Sequence, residues 1–497
     1  MSAKSNLLTR GKKQKALALL RQHLPDQALP VLDQICRVDR RDAEAQFLLA
    51  AAHQELGNFT QAAVAYRHVI ALDPTHIEAQ FYLGNTCLAL GDGPGAVAAF
   101  RETVRLQPDH RKAHVNLGAL LELQHNYAAA ETSFREALRL DPRDAELHCS
   151  LGNILQAEGR FEEAVAAYRQ ALALRPSHAD ACNNLGNALV QLGRHDEAIT
   201  SYEEALRINP NLAAAHNNMG NTLLRMRRVE DALAAYSLAL RVAPGYAEAL
   251  TNLGNALQRE RGKIDEGIAY HRRAIASNPG YADAHYNLAF CLLLKGEFRE
   301  GWREYDWRWK REGGGRRPLP PILWEGRDLG GATVFLHAEQ GIGDELFFLR
   351  FLPWLRHCNA GHIVYRPTVK IAPLLARVSG IDRFAKPDEQ PTTEKFVCAV
   401  GDLPRLLGMA SVNEAPAALS LAPPPEAIAR MRDTLARLGP PPYIGVTWRA
   451  GIKGDDLVLY KESPLESLAR LLQNTAATPL ILQRHPAPGE IEAFARE

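Results

Sequence analysis

Small and aromatic positions recur at a fixed interval along the chain up to about residue 300. Alanine stands at Ala62, Ala96, Ala130, Ala164, Ala198 and Ala232, each followed four residues later by Tyr66, Phe100, Phe134, Tyr168, Tyr202 or Tyr236. Twelve residues after each alanine comes proline (Pro74, Pro108, Pro142, Pro176, Pro210, Pro244), and ten residues after each proline comes glycine (Gly84, Gly118, Gly152, Gly186, Gly220, Gly254). The step is 34 residues throughout. Small residues let two helices approach, an aromatic fills space between neighbouring repeats, and proline ends the second helix, so the pattern predicts stacked helix hairpins. Residues 9–42 fit a degenerate first repeat with Ala28 at the alanine position. Near residue 260 a one-residue insertion moves the step to Pro279, with Gly267 at the alanine position, and a partial last repeat follows.

This is the period and code of the tetratricopeptide repeat. About nine units are expected, wound into a right-handed superhelix with a concave groove, because one hairpin cannot bury its own apolar face. From residue 331 the pattern turns to alternating strands and helices. Strands are expected at Thr333–His337, Ala360–Tyr365, Asp382–Phe384 and Lys395–Val400, with helices at Asp344–His357, Val369–Val378 and Glu426–Leu438 and a helical turn at Leu403–Leu407. After Gly439-Pro440-Pro441-Pro442 a second start is expected: strand Tyr443–Trp448, loop Arg449–Asp456, helix Pro464–Gln473, strand Pro479–Gln483 and a helix from Gly489. Such alternation implies a mostly parallel sheet with right-handed crossovers.

Composition narrows the function. A net charge of +1 supplies no global field for nucleic acid or an acidic membrane, so neither is an expected partner. Seven scattered cysteines without a C-x-x-C pair suggest neither zinc nor a disulfide framework, and a reducing, cytoplasmic setting fits best. No signal peptide and no membrane-spanning stretch is read. All six tryptophans (Trp302, Trp307, Trp309, Trp324, Trp354, Trp448) follow residue 300. GWREYDWRWK is expected to pack the repeat array onto the next domain, with Trp324 a packing anchor in the Gly/Pro-rich connector.

Three groups of residues can carry function. Asn116, Asn184, Asn218, Asn252 and Asn287 recur on the first helices, with a second set at Asn85, Asn153, Asn187, Asn221 and Asn255. Asparagine is a mediocre helix former, so its periodicity points to amides that grip an extended peptide backbone, or that bridge adjacent repeats. The loop His337–Glu345 follows a strand and opens a helix, so Gln340, Gly341 and Gly343 can approach an anion or a sugar hydroxyl. In that loop Asp344 is either a helix N-cap or a general base, with Glu339 in reserve. In the later loop, Arg449 and Lys453 can neutralise a diphosphate leaving group or form a solvated basic loop. No P-loop, metal-ligand cluster or Ser-His-Asp set is present, and no cofactor is expected.

The strings LLLKGEFREGWREYDWRWK, WEGRDLGGATVFLHAEQGIGDELFFLRFLPWL, CAVGDLPRLLG and YIGVTWRAG resemble bacterial repeat-fused glycosyltransferases related to the ADP-heptose:lipopolysaccharide heptosyltransferase family. Separately, NNLGNAL, NNMGNTL and TNLGNAL resemble the repeats of O-linked N-acetylglucosamine transferases. The resemblance implies an α-solenoid followed by an α/β Rossmann-like domain of the glycosyltransferase-B type. It also implies a nucleotide-sugar as donor substrate and maps the proposed base onto Asp344. The expected division is repeats at 1–311, an extended connector at 312–330, a first Rossmann-like lobe at 331–439 and the start of a second at 440–497. Only 55 residues follow Pro442, whereas such a lobe needs about 100, so the second lobe is expected to be incomplete and to dock on the first lobe or on another chain. Two functions remain open. One is transfer of a sugar to a protein or glycan acceptor held in the groove; the alternative is a non-catalytic protein-binding scaffold with a remnant glycosyltransferase module.

Overall fold

The structure, a computed structural model, describes residues 3–259, 262–311, 328–339, 341–376, 378–391, 396–417, 419, 425–446, 449–450, 461–462 and 478–481. It divides into two compact units, Met1–Pro244 and Gly245–Glu497.

The first unit is a series of helix hairpins. They are α1 (Ala3–Arg21) with α2 (Pro25–Val38), α3 (Ala43–Glu55) with α4 (Phe59–Leu72), and α5 (Ile77–Ala89) with α6 (Gly93–Leu106). Next come α7 (Arg111–Leu123) with α8 (Tyr127–Leu140), and α9 (Ala145–Ala157) with α10 (Phe161–Leu174). The unit closes with α11 (Ala179–Gln191) paired to α12 (His195–Ile208) and α13 (Ala213–Arg225) paired to α14 (Val229–Val242). Each repeat proline from Pro74 to Pro244 lies two residues beyond the end of a second helix, where it cannot continue the chain of backbone bonds. First helices start on side-chain caps: Asp42 and Asp144 accept from Ala45 N and Leu147 N, and the ring Nδ1 of His76 and His110 accepts from Ala79 N and Ala113 N.

The glycine and aromatic positions form one contact. A Cβ on Gly84, Gly118, Gly152, Gly186 or Gly220 would stand 2.5–2.6 Å from the ring of Phe100, Phe134, Tyr168, Tyr202 or Tyr236. The aromatic therefore fills the inside of its own hairpin rather than the gap between repeats, because the glycine facing it sixteen residues earlier leaves room for the ring face. These rings are essentially fully buried, each contributing about 2–3 kcal/mol of transfer free energy. The turn inside each hairpin needs a left-handed residue at a second 34-residue position: Gly57, Gly91, Gly159 and Gly193 take φ of +73° to +76°, while His23, His125 and Arg227 take +54° to +61°.

The second unit opens with α15 (Ala247–Arg259) and α16 (Ile264–Ser277), then α17 (Ala282–Lys295) and α18 (Phe298–Tyr305), which runs into a 3₁₀ turn at Asp306–Lys310. Here a four-stranded sheet follows: β1 (Val334–His337), β2 (Ile363–Arg366), β3 (Arg383–Phe384) and β4 (Phe396–Ala399), in the order β3-β2-β1-β4. Its pairings are parallel, with Leu336 opposite both Tyr365 and Cys398. β1 is buried at all four positions, as a parallel strand covered on both faces must be. Val334, Leu336 and Tyr365 share a core with Trp302, Tyr305, Phe348 and Leu355; Phe335, Val364 and Val397 pack on the opposite face. The last hairpin thus shares its core with the sheet.

Most of the remaining elements are shorter than expected. The helix after β1 breaks into α19 (Ile342–Phe348), a 3₁₀ turn at Leu349–Phe351 and α20 (Leu352–His357), where Pro353 removes a backbone donor. The helix expected over Val369–Val378 shrinks to α21 (Ala372–Leu375); α22 (Leu403–Leu406) and α23 (Pro425–Leu438) follow. Of the tail, β5 (Tyr443–Val446) pairs in parallel with β8 (Thr478–Ile481), and β6 (Arg449–Ala450) pairs antiparallel with β7 (Lys461–Glu462). Arg449, expected to begin a loop, is therefore in a strand. The tail helices expected at 464–473 and from 489, and the connector with Trp324, lie outside the described residues.

Candidate functional site

In the first unit the asparagines lie half-buried on the first helices and are tied to one another. Asn116 Nδ2 donates to Asn85 Oδ1 at 3.0 Å, joining α7 to α5. Further along, Asn218 donates to Asn183, Asn183 to Asn184 and Asn184 to Asn153, at 3.0–3.1 Å, linking α13, α11 and α9. The second set takes the tyrosine hydroxyls: Tyr168 OH donates to Asn153, Tyr202 OH to Asn187 and Tyr236 OH to Asn221, at 2.7–2.8 Å. Burial raises the Tyr168, Tyr202 and Tyr236 hydroxyls' need for a partner, and the asparagine carbonyl supplies it.

The Asn116–Asn85 pair lines a recess of about 410 Å³ with Phe81, Tyr82, Arg111, Lys112, Val115 and Asp144. Phe81 and Tyr82 meet edge to face at 5.6 Å, and Phe81 also packs on the His110 ring at 4.6 Å. Arg111 is ion-paired with Asp144 and Asp141, while Lys112 is exposed on the rim. The single bond uses Asn116 Nδ2 and Asn85 Oδ1, which leaves Asn85 Nδ2 as a further donor and Asn116 Oδ1 as a further acceptor on two residues that line the recess. In the second unit Asn252 and Asn287 hold the same repeat position on α15 and α17, both half-buried.

In that unit the order in which strands are added reverses between β1 and β4, which stay parallel, so the crevice at a topological switch point lies beyond their carboxyl ends. Glu339 leaves β1 there and Asp402 leaves β4 there, both buried. Between them stands Arg308, from the 3₁₀ turn after α18 and only 4% exposed. Its Nη2 donates to Glu339 Oε1 and Oε2 at 3.0 and 2.9 Å and to Asp402 Oδ1 at 2.6 Å, and its Nε to Glu339 Oε2 at 3.2 Å. The guanidinium is also flanked by the Tyr305 and Trp309 rings at 4.5 and 4.7 Å. Asp402 Oδ2 accepts from Ala399 N at 3.2 Å. Burial pushes the Glu339 carboxyl up to about 7 against the pull of Arg308, with Asp402 adding to the rise.

Glu339 is thus engaged rather than open to a substrate. Asp344 is exposed on the third residue of α19, whose N-cap is Gly341, so the N-cap role does not apply to it: the helix begins two residues before it. Gly341 and Gly343 are exposed beside it. Its neighbour Glu345 is fully buried and accepts from Tyr365 OH at 2.5 Å and Thr368 N at 3.1 Å, pinning the loop to β2. Gln340 and Lys453 lie outside the described residues, as does the side chain of Arg449. Sequence reasoning missed Arg308, Asp402 and Glu345; within the quoted GWREYDWRWK the arginine flanked by aromatics was the available signal. No group of His, Cys, Asp or Glu among the described residues could hold a metal ion, and no helix among them is long and apolar enough to cross a membrane.

The repeat geometry has counterparts in known proteins. Residues 258–301 match the tetratricopeptide repeat family, and residues 10–243 match the family described as the cilia and flagella-associated protein 70 C-terminal domain. The chain carries tetratricopeptide repeats. The curated Protein FlbA of Caulobacter vibrioides is 28% identical over 260 residues, 48% of this chain and 43% of that protein, so the chain spans less than half of that relative's length. Among solved structures, MamA is 25% identical with a TM-score of 0.32, covering 33% of this tetratricopeptide chain and 96% of its own. YrrB, described as a TPR protein with an unusual peptide-binding site, is 22% identical with a TM-score of 0.34, over 38% and 97% of the two chains. Pseudomonas aeruginosa pilF is 23% identical with a TM-score of 0.36, over 44% and 98%.

Proposed function

We propose that this tetratricopeptide protein is a binding scaffold that holds an extended peptide segment of a partner protein across α5 and α7. The observation that carries the reading is the Asn116–Asn85 pair in a recess it shares with Phe81 and Tyr82: beyond their mutual bond the two amides keep a donor and an acceptor, the complement of a peptide unit. Main-chain recognition of this kind supplies affinity, and the aromatic floor selects apolar side chains. Asn184, Asn218, Asn252 and Asn287 extend the same position along the repeats. Asn184 and Asn218 donate to neighbouring repeats as Asn116 does, but Asn153 also accepts the Tyr168 hydroxyl, whereas Phe100 at the equivalent position has none to give Asn85. Selection of peptides from a random display library on the full chain tests the reading. Recovered peptides are expected to lose binding to Asn85→Ala/Asn116→Ala, and a library that yields no binder contradicts the scaffold.

A second reading, transfer of a sugar from a nucleotide-sugar to a protein or glycan acceptor, is favoured by one observation. The parallel order β3-β2-β1-β4, with a glycine-bearing loop at the carboxyl end of β1, is the order of a Rossmann-like half. In that reading Asp344 is the base and Arg449 and Lys453 hold the diphosphate, without metal or cofactor. Calorimetric titration with nucleotide-sugars tests it: heat of binding below millimolar concentration supports transfer, and none at millimolar concentration removes it.

A further inference from the structure

Arg308 belongs to the turn that ends the repeat hairpins, yet its guanidinium sits at the switch point of the sheet. Everything a guanidinium requires is present around it. Two carboxylates from the segments that follow two different strands, Glu339 after β1 and Asp402 after β4, accept from its Nη2 and Nε, and Nη1 reaches the Tyr305 carbonyl at 3.3 Å. Two aromatic faces, Tyr305 and Trp309, flank it. Gly401 completes the shape, since a Cβ there would stand 1.7 Å from Glu339 Oε1 and 3.4 Å from Arg308 Nη2. Without the arginine, the crevice would be left with two buried carboxylates facing each other, each without its counter-charge, a state that repels anions. The fork of donors matters as well as the charge: a lysine ammonium is a point charge that cannot serve both carboxylates and lie between two rings in the same way.

We infer that the crevice beyond the carboxyl ends of β1 and β4 is a guanidinium site, filled in cis by Arg308, which latches the last repeat hairpin to the loops bearing Glu339 and Asp402. The ligand class of this site is an alkylguanidinium. The site selects it over an alkylammonium by bidentate geometry and ring stacking.

Chemical rescue tests the assignment in the full chain. Arg308→Ala is expected to speed amide hydrogen exchange of 334–337 and 396–399 at least about tenfold, as local opening becomes easier. Millimolar methylguanidinium is expected to restore protection, and equal methylammonium or sodium chloride is not. Unchanged protection in the variant, no rescue, or equal rescue by methylammonium overturns the site. Should the alanine variant not be recovered folded, Arg308→Lys decides: accelerated exchange of the same strands supports the fork geometry, and wild-type protection overturns it.

Discussion

Asn116 on α7 donates its side-chain amide to the Asn85 carbonyl on α5 at 3.0 Å, so two successive repeats share one polar contact inside their first-helix layer. The equivalent pair Asn184–Asn153 makes the same tie between α11 and α9, but its acceptor carries a second load. Asn153 takes both the Tyr168 hydroxyl and the Asn184 amide, and Asn183 takes Asn218. One residue type at one repeat position therefore has two uses: as an inter-repeat tie and as a polar contact at a recess lined with aromatics.

Gly186 is expected to tolerate no side chain. A Cβ would approach Tyr202 Cε1 at 2.5 Å, and the ring is buried on every side. Gly186→Ala should destabilise the first unit by about 1–3 kcal/mol through overpacking, visible as a lowered urea midpoint. An unchanged midpoint would show that the hairpin can open to admit the methyl group.

Arg227 is expected to be improvable. It holds φ of +61° at the position where Gly193 holds +73°. Arg227→Gly should raise stability by about 1 kcal/mol, since the left-handed conformation strains a residue with a Cβ. A thermal melt that shifts downward would contradict this.

His271 replaces the aromatic opposite Gly254, buried, with neither ring nitrogen bonded among the described residues, and burial lowers it to about 4. The unfolded chain takes up a proton near 6.5 that the folded chain refuses, so stability is full above that pH and falls as pH drops toward 4. The loss reaches at most about 3 kcal/mol over this span. Glu339, raised by burial to about 7, acts in the opposite sense between the ordinary glutamate range and 7. The comparison with His271→Phe removes that contribution. Urea unfolding at pH 7.5 and 4.5 should show the phenylalanine variant gaining about 2–3 kcal/mol relative to wild type on acidification. Parallel behaviour of the two proteins would contradict the assignment.

Gly401→Ala should break the Arg308 cluster without touching its charges, because the new Cβ takes the place of Glu339 Oε1. A loss of about 2–4 kcal/mol in the second unit is expected by urea unfolding, since a buried ion pair is left with broken geometry. Wild-type stability would show that Glu339 has another rotamer available.

The parts of this molecule written as local steric requirements were legible in the sequence. Pro74 and its equivalents end helices, Gly84 and its equivalents admit a ring, and the hairpins follow from these alone. Strands β1 to β4 were visible for the same reason, as short apolar runs bounded by turns. What escaped depends on partners far apart in sequence. Arg308 and Asp402 are 94 residues apart, and no period or spacing joins them. Spacing alone puts the aromatic between repeats, because it cannot tell a hairpin's inside from its flank. The sequence suggests an N-cap at Asp344 because the apolar helical run begins after it, whereas Gly341 in an extended conformation already precedes the first turn. The asparagine period was plain, but the choice between gripping a peptide and tying repeats depended on which amide faced which.

Titration of a display-selected peptide into the wild type and into Asn85→Ala/Asn116→Ala tests the scaffold most directly. Losing one donor and one acceptor should weaken binding by about tenfold to a hundredfold while the thermal melt of the repeats shifts by only a few degrees. Equal affinity for the two proteins would place the peptide elsewhere and contradict the account.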